Sequence, residues 1–78
     1  MQEDLLERIT TDPRILGGKP IVRGLRVSVE QIVKAVAAGV PTEDLLADIP
    51  VLEPDDIRAC LLYAAQVVEE HSHFTMAG

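Results

Sequence analysis

The stretch Gln31 to Ile49, QIVKAVAAGVPTEDLLADI, decides how the rest of this sequence is read. Ile32, Val33, Val36 and Ala37 recur at helical spacing. Ala35 is small enough to let a second helix cross closely. Gly39 can take the positive φ that ends a helix. Pro41-Thr42 restarts the chain, and Leu45, Leu46 and Ile49 supply a second apolar stripe. Small residue, glycine turn and apolar lock are what a helix-turn-helix needs. Two helices of any small bundle joined by a glycine turn have the same spacing, and that reading stays open beside it.

The flanks extend the pattern. Ser28 stands at the N-cap with Gln31 three residues later, a capping-box form, so the first core helix covers roughly 29–38. Glu43 and Asp44 lie in the first turn of a very short second helix, where the helix dipole favours acids, and Pro50 ends it. Pro54 suits the first position of a third helix, followed by Asp55 and Asp56. That helix runs to about Glu70. Between Ile57 and Val68 only Arg58 and Gln66 are clearly polar. A helix apolar nearly all round is buried on more than one side. A small monomer cannot supply that cover, so a homodimer is expected, with Ile57, Leu61, Leu62, Ala65 and Val68 in its interface.

Upstream, residues 9–27 read as a β-hairpin or extended arm. Asp4–Ile9 has spacing for a short helix, and Thr11-Asp12-Pro13 is a turn signal. Leu25, Val27 and Val29 alternate with Gly24, Arg26 and Ser28, which is strand periodicity. Gly17-Gly18 suits a tight turn, and Pro20 restricts its segment to edge pairing. The tail 71–78 reads as frayed. The expected fold is thus mainly α: one domain over 1–78, with a helix-turn-helix core of three helices over 28–70 behind an N-terminal arm.

Composition bounds the function. The chain has 78 residues, 47% of them hydrophobic, with aromatics limited to Tyr63 and Phe74. Cys60 is the single cysteine, so there is no internal disulfide and no zinc spacing. A reducing, cytoplasmic setting is expected, since no basic leader or membrane-length apolar run is seen. Net charge is −6, but the distribution is uneven. Residues 14–26 hold Arg14, Lys19, Arg23 and Arg26 with no acid; every other segment is acidic.

That basic segment and Thr42 are the candidate contacts to DNA or to a protein partner. Arg14, Arg23 and Arg26 have two readings: solvated or locally paired side chains, or ligands of phosphate or of an acidic partner site. The second helix exposes Glu43, Asp44 and Asp48, which repel phosphates. Gly17-Gly18-Lys19 lacks the rest of a phosphate loop and reads as a turn. His71 and His73 at a chain end do not make a metal site, and Cys60 reads as an inert core thiol. No residue set suggests nucleophilic catalysis. No enzyme, cofactor or metal is expected.

The string Asp12-Pro13-Arg14-Ile15, then Gly17-Gly18-Lys19-Pro20-Ile21-Val22-Arg23-Gly24, then Arg26-Val27, is distinctive. With Gly39, Asp48, Pro50 and Asp56-Ile57 after it, the sequence over roughly 8–68 resembles the bacterial domain-of-unknown-function family numbered four-three-three. The resemblance implies an antitoxin-like protein similar to VapB-type antitoxins, with a homeodomain-like or winged helix-turn-helix. It also implies a homodimer that represses its own operator DNA and neutralises a PIN-like ribonuclease toxin. Leu25 stands where that family usually has Thr, and Glu53 where a Ser or Thr cap is usual. The latter weakens a helix cap by roughly 1 kcal/mol at most. The alternative from another class is a protein-binding module that keeps the fold without specific DNA binding.

Overall fold

The computed structural model describes residues 2–71. Its elements are α1 (Gln2–Leu6), β1 (Ile9–Thr10), a single 3-10 turn (Leu16–Gly18), β2 (Ile21–Val22), α2 (Val29–Ala37), α3 (Thr42–Asp48) and α4 (Pro54–Glu70). The protein is mainly helical, with one small antiparallel strand pair, as the sequence implied. The expected tail from residue 72 onward, His73 included, lies outside the described residues.

Local chemistry places the helices. Ser28 caps α2, its Oγ accepting from the Gln31 backbone N–H at 2.9 Å. Gly39 follows α2 at φ +91° and turns the chain. The Val40 N–H then donates to the Ala35 carbonyl at 3.1 Å, closing the turn before α3. Glu53 caps α4 differently from the Ser or Thr expected there. The Glu53 N–H donates to Asp56 Oδ2 at 2.8 Å, so the third helical residue closes the cap from inside.

The arm departs from its expected form in two ways. The first helix is Gln2–Leu6 and not Asp4–Ile9, because the chain turns at Arg8, whose N–H donates to the Leu5 carbonyl at 3.0 Å. Ile9 is thereby freed to pair with Val22, and Thr10 with Ile21. The alternating run Leu25–Val29 forms no strand of its own. It turns back along β2 and makes one bridge, Ile21 to Ser28. Ser28 must also cap α2, so no length remains for a longer ladder. Pro20 lacks an N–H but contributes its carbonyl, which accepts from Val29 N at 3.0 Å.

The core is aliphatic. Val22, Val27, Val29, Ile32, Leu45, Leu52, Ile57 and Cys60 form one buried cluster. Helix α4 is its spine, packed on α1 along one side and on α2 along another.

Candidate functional site

Asp56 organises the arm–helix junction. It is buried with no exposed surface, and its carboxylate accepts from Arg23 Nε at 3.0 Å, Arg23 Nη2 at 2.9 Å and Arg8 Nη1 at 3.0 Å. Together with the Glu53 N–H these donors satisfy both oxygens. Burial pushes the Asp56 pKa up, but the bonds from Arg23, the Glu53 backbone and Arg8 outweigh it and hold the group below the ordinary carboxylate value. Arg8 Nη1 also donates to Glu53 Oε1 at 2.7 Å, and Arg23 Nη2 to the Val51 carbonyl at 2.8 Å.

Arg23 reaches Asp56 from a strained corner. Its φ is +45° and that of Gly24 is +73°, the two central positions of a turn closed by the Leu25 N–H on the Val22 carbonyl at 2.7 Å. A left-handed Arg costs on the order of 1 kcal/mol. The bidentate pair offsets that, aided by the Arg23 N–H on the Arg8 carbonyl at 2.7 Å.

The basic segment is therefore not a patch of four free cations. Arg14 is held bidentate by Asp12, with bonds of 3.1 and 3.0 Å. Lys19 pairs with Glu30 at 2.9 Å, as does Lys34. Those two lysines, Lys34 first, hold the Glu30 pKa down at about 2. Arg23 is committed to Asp56. Arg26 is exposed and has no ion pair or side-chain hydrogen bond among the described residues. The segment has no acid in its own sequence, but the fold brings acids to it. Arg8 and Asp56 were not singled out from sequence as a site. The signal available was Asp56 at the third position of a helix headed by Glu-Pro.

The expected interface residues on α4 divide in the same manner. Ile57 is only 4% exposed and belongs to the chain's own core, since α4 buries this face against the cluster around Ile32. Leu61 is 40% and Val68 65% exposed; Ala65 is exposed and Leu62 half-buried. Leu61 and Leu62 border a hollow with Leu5 and Arg58. A second, largely apolar groove of about 360 Å³ lies between α2 and α4, floored by Val29, Val33, Tyr63, Ala64, Val67 and Val68. The residues Val33, Tyr63, Ala64 and Val67 were not singled out from sequence. Helical spacing marked them as apolar but not as uncovered.

Thr42 opens α3 and is exposed beside Glu43 and Asp44. Between α2 and α3 lies a cleft of about 370 Å³, lined by Gln31, Ile32, Ala35, Val40, Asp44, Leu45, Asp48 and Ile49. Cys60 is buried, and burial together with the Asp56 charge pushes its thiol up to about 11. Among the described residues no three His, Cys, Asp or Glu side chains are placed to hold a metal ion. No described helix is long and apolar enough to cross a membrane.

Comparison with known proteins adds the family context. A family model described as "Protein of unknown function (DUF433)" matches residues 9–64. An uncharacterized protein, y4eO of Sinorhizobium fredii, is 45% identical over 58 residues, which cover 74% of this chain. The match spans 26% of that relative's length, so this chain corresponds to about a quarter of it. The crystal structure of a DUF433 member protein from Anabaena variabilis superposes with a TM-score of 0.75 at 31% identity, covering 87% of this chain and 67% of that one.

Proposed function

The chain belongs to the DUF433 family, and we propose that it is an antitoxin-like regulator acting chiefly as a protein-binding module. Its partners in this reading are a second copy of itself and a PIN-like ribonuclease toxin. The antitoxin assignment rests on the sequence resemblance around Gly17-Gly18-Lys19-Pro20. The mode of action rests on one observation: the apolar groove between α2 and α4. Val68 is 65% exposed at its edge. Uncovered aliphatic surface next to a half-buried Tyr63 suits a protein contact.

Operator DNA is the second reading. The α2–turn–α3 geometry with Ala35 and Gly39 favours it, as does the unpaired Arg26. Its difficulty is electrostatic. Helix α3 carries Glu43, Asp44 and Asp48 and no basic residue. Three of the four cations in the arm are already paired. Duplex affinity comes mainly from cations that neutralise phosphates.

One experiment separates the readings. The chain is titrated into a PIN-like ribonuclease, and separately into its upstream DNA over a range of salt. Stoichiometric inhibition of the nuclease, lost in Val67→Asp, is the expected result. Failure to inhibit, with upstream DNA bound tightly and a salt slope of about −0.9 per phosphate contact, would replace it with the DNA reading.

A further inference from the structure

We infer that the cleft between α2 and α3 is the docking site for a cationic segment of a protein partner, a stretch in which Lys or Arg flanks one or two aliphatic side chains. This rests on the protein-binding reading above and adds the chemistry of what is bound. The cleft opens over the buried Ile32 and Leu45, with Ala35 and Ile49 half-buried on its walls and Val40 37% exposed at its mouth. Ala35 sets the depth, since a larger side chain there would fill the space between the helices. One rim is acidic. Asp44 and Asp48 are spaced four apart on α3, so both lie on the face that lines the cleft. Neither carboxylate has a hydrogen bond or ion pair among the described residues, and no lysine or arginine lines the cleft.

The helix itself accounts for only one of the two acids. Asp44 lies in the first turn of α3, where the dipole favours it. Asp48 is the last residue of the same helix, at the negative end of the dipole, with no basic residue in that turn. It also repels Asp44 across one turn. An incoming cation relieves both effects, and the aliphatic floor takes the apolar part of the same segment. The same charges repel nucleic acid, so charge complementarity selects a basic polypeptide.

The test uses the full chain and a short synthetic helical peptide carrying Leu on one face with Arg on either side, and its twin with Glu for every Arg. Binding is followed by backbone amide shifts. The Arg peptide is expected to move the amides of Ala35, Val40 and Asp48, and the Glu twin to move none. The double variant Asp44→Asn/Asp48→Asn should weaken the Arg peptide about fivefold to tenfold through the loss of two exposed ion pairs. Ala35→Leu should block the floor while the helical circular dichroism is retained. Lys34→Ala, outside the cleft, should bind normally. Equal binding of both peptides, unchanged binding by the Asn variant, shifts clustered instead on Tyr63 and Val67, or displacement by duplex DNA would each overturn the assignment. If the Asn variant still inhibits the ribonuclease while Val67→Asp does not, the cleft assignment fails and the protein-binding reading stands.

Discussion

The Arg23 guanidinium grips the Asp56 carboxylate with two bonds, 3.0 and 2.9 Å, across 33 positions of sequence. This pair ties the arm to the N-terminus of α4, at the point where the fold would otherwise bury an uncompensated charge. Only Asp56 of the pair is buried, and removing Arg23 would leave its charge behind with fewer donors. Arg23 is itself exposed, and Arg8 and the Glu53 N–H still contact Asp56, so Arg23→Ala is expected to destabilise the fold by only part of the cost of an unpaired buried charge, measured by urea unfolding. Arg23→Lys should recover little, since an ammonium cannot reproduce the fork that holds Asp56 and the Val51 carbonyl together. Full rescue by Lys would mean that charge alone matters at this site.

The same network sets an acid limit. The folded pKa of Asp56 is below its unfolded value. Such a group adds stability that is complete above the unfolded value, about 4, and is lost as pH falls through the folded one. Stability should therefore be flat from neutral pH to about 5 and fall below about 4. Asp56→Asn should lower the plateau and flatten the acid slope. Chemical denaturation at a series of pH values checks both. An unchanged slope in the variant would assign the acid loss to other carboxylates.

Gly39 is expected to resist substitution for backbone reasons alone. Its φ is +91°, and a Cβ there would meet no atom within 4 Å. Gly39→Ala should cost about 1–2 kcal/mol from the strained backbone without any clash. A thermal melt reads this directly. A neutral result would mean that the α2–α3 turn relaxes to another conformation.

Cys60 should be chemically silent in the folded chain. It is buried, with its thiol at about 11. The thiolate is the reactive form. A thiol reagent at pH 8 should label it only on the timescale of unfolding, and at once in denaturant. Rapid native labelling would mean that α4 opens locally.

The two uncovered sides of α4 can be told apart by mass. Val67→Asp, in the groove with α2, and Leu61→Glu, in the hollow with Leu5, place a charge on one side each. Light scattering of the unaltered chain is expected near twice the chain mass. Val67→Asp should return it to the monomer and Leu61→Glu should not. The reverse outcome would move the self-association face to the α1 side.

The sequence by itself determined what acts within one turn of helix. Ser28 before Gln31, Gly39 after a periodic run, and Pro54 heading a charged turn each mark a boundary, because capping, positive φ and a missing N–H are local effects. The aliphatic spacing likewise settled that the core would be helical. Only the tertiary structure decided which charges are free. Residues 14–26 contain no acid, but Asp12, Glu30 and Asp56 reach them from outside the segment. Their approach depends on how the arm lies on α2 and α4, and no local pattern encodes that. The sidedness of α4 follows the same logic. Ile57 and Val68 look equivalent along the chain, but the packing of the rest of the chain against α4 leaves the first 4% and the second 65% exposed. Burial is a property of the neighbours a side chain meets, and in this fold those neighbours come from distant parts of the chain.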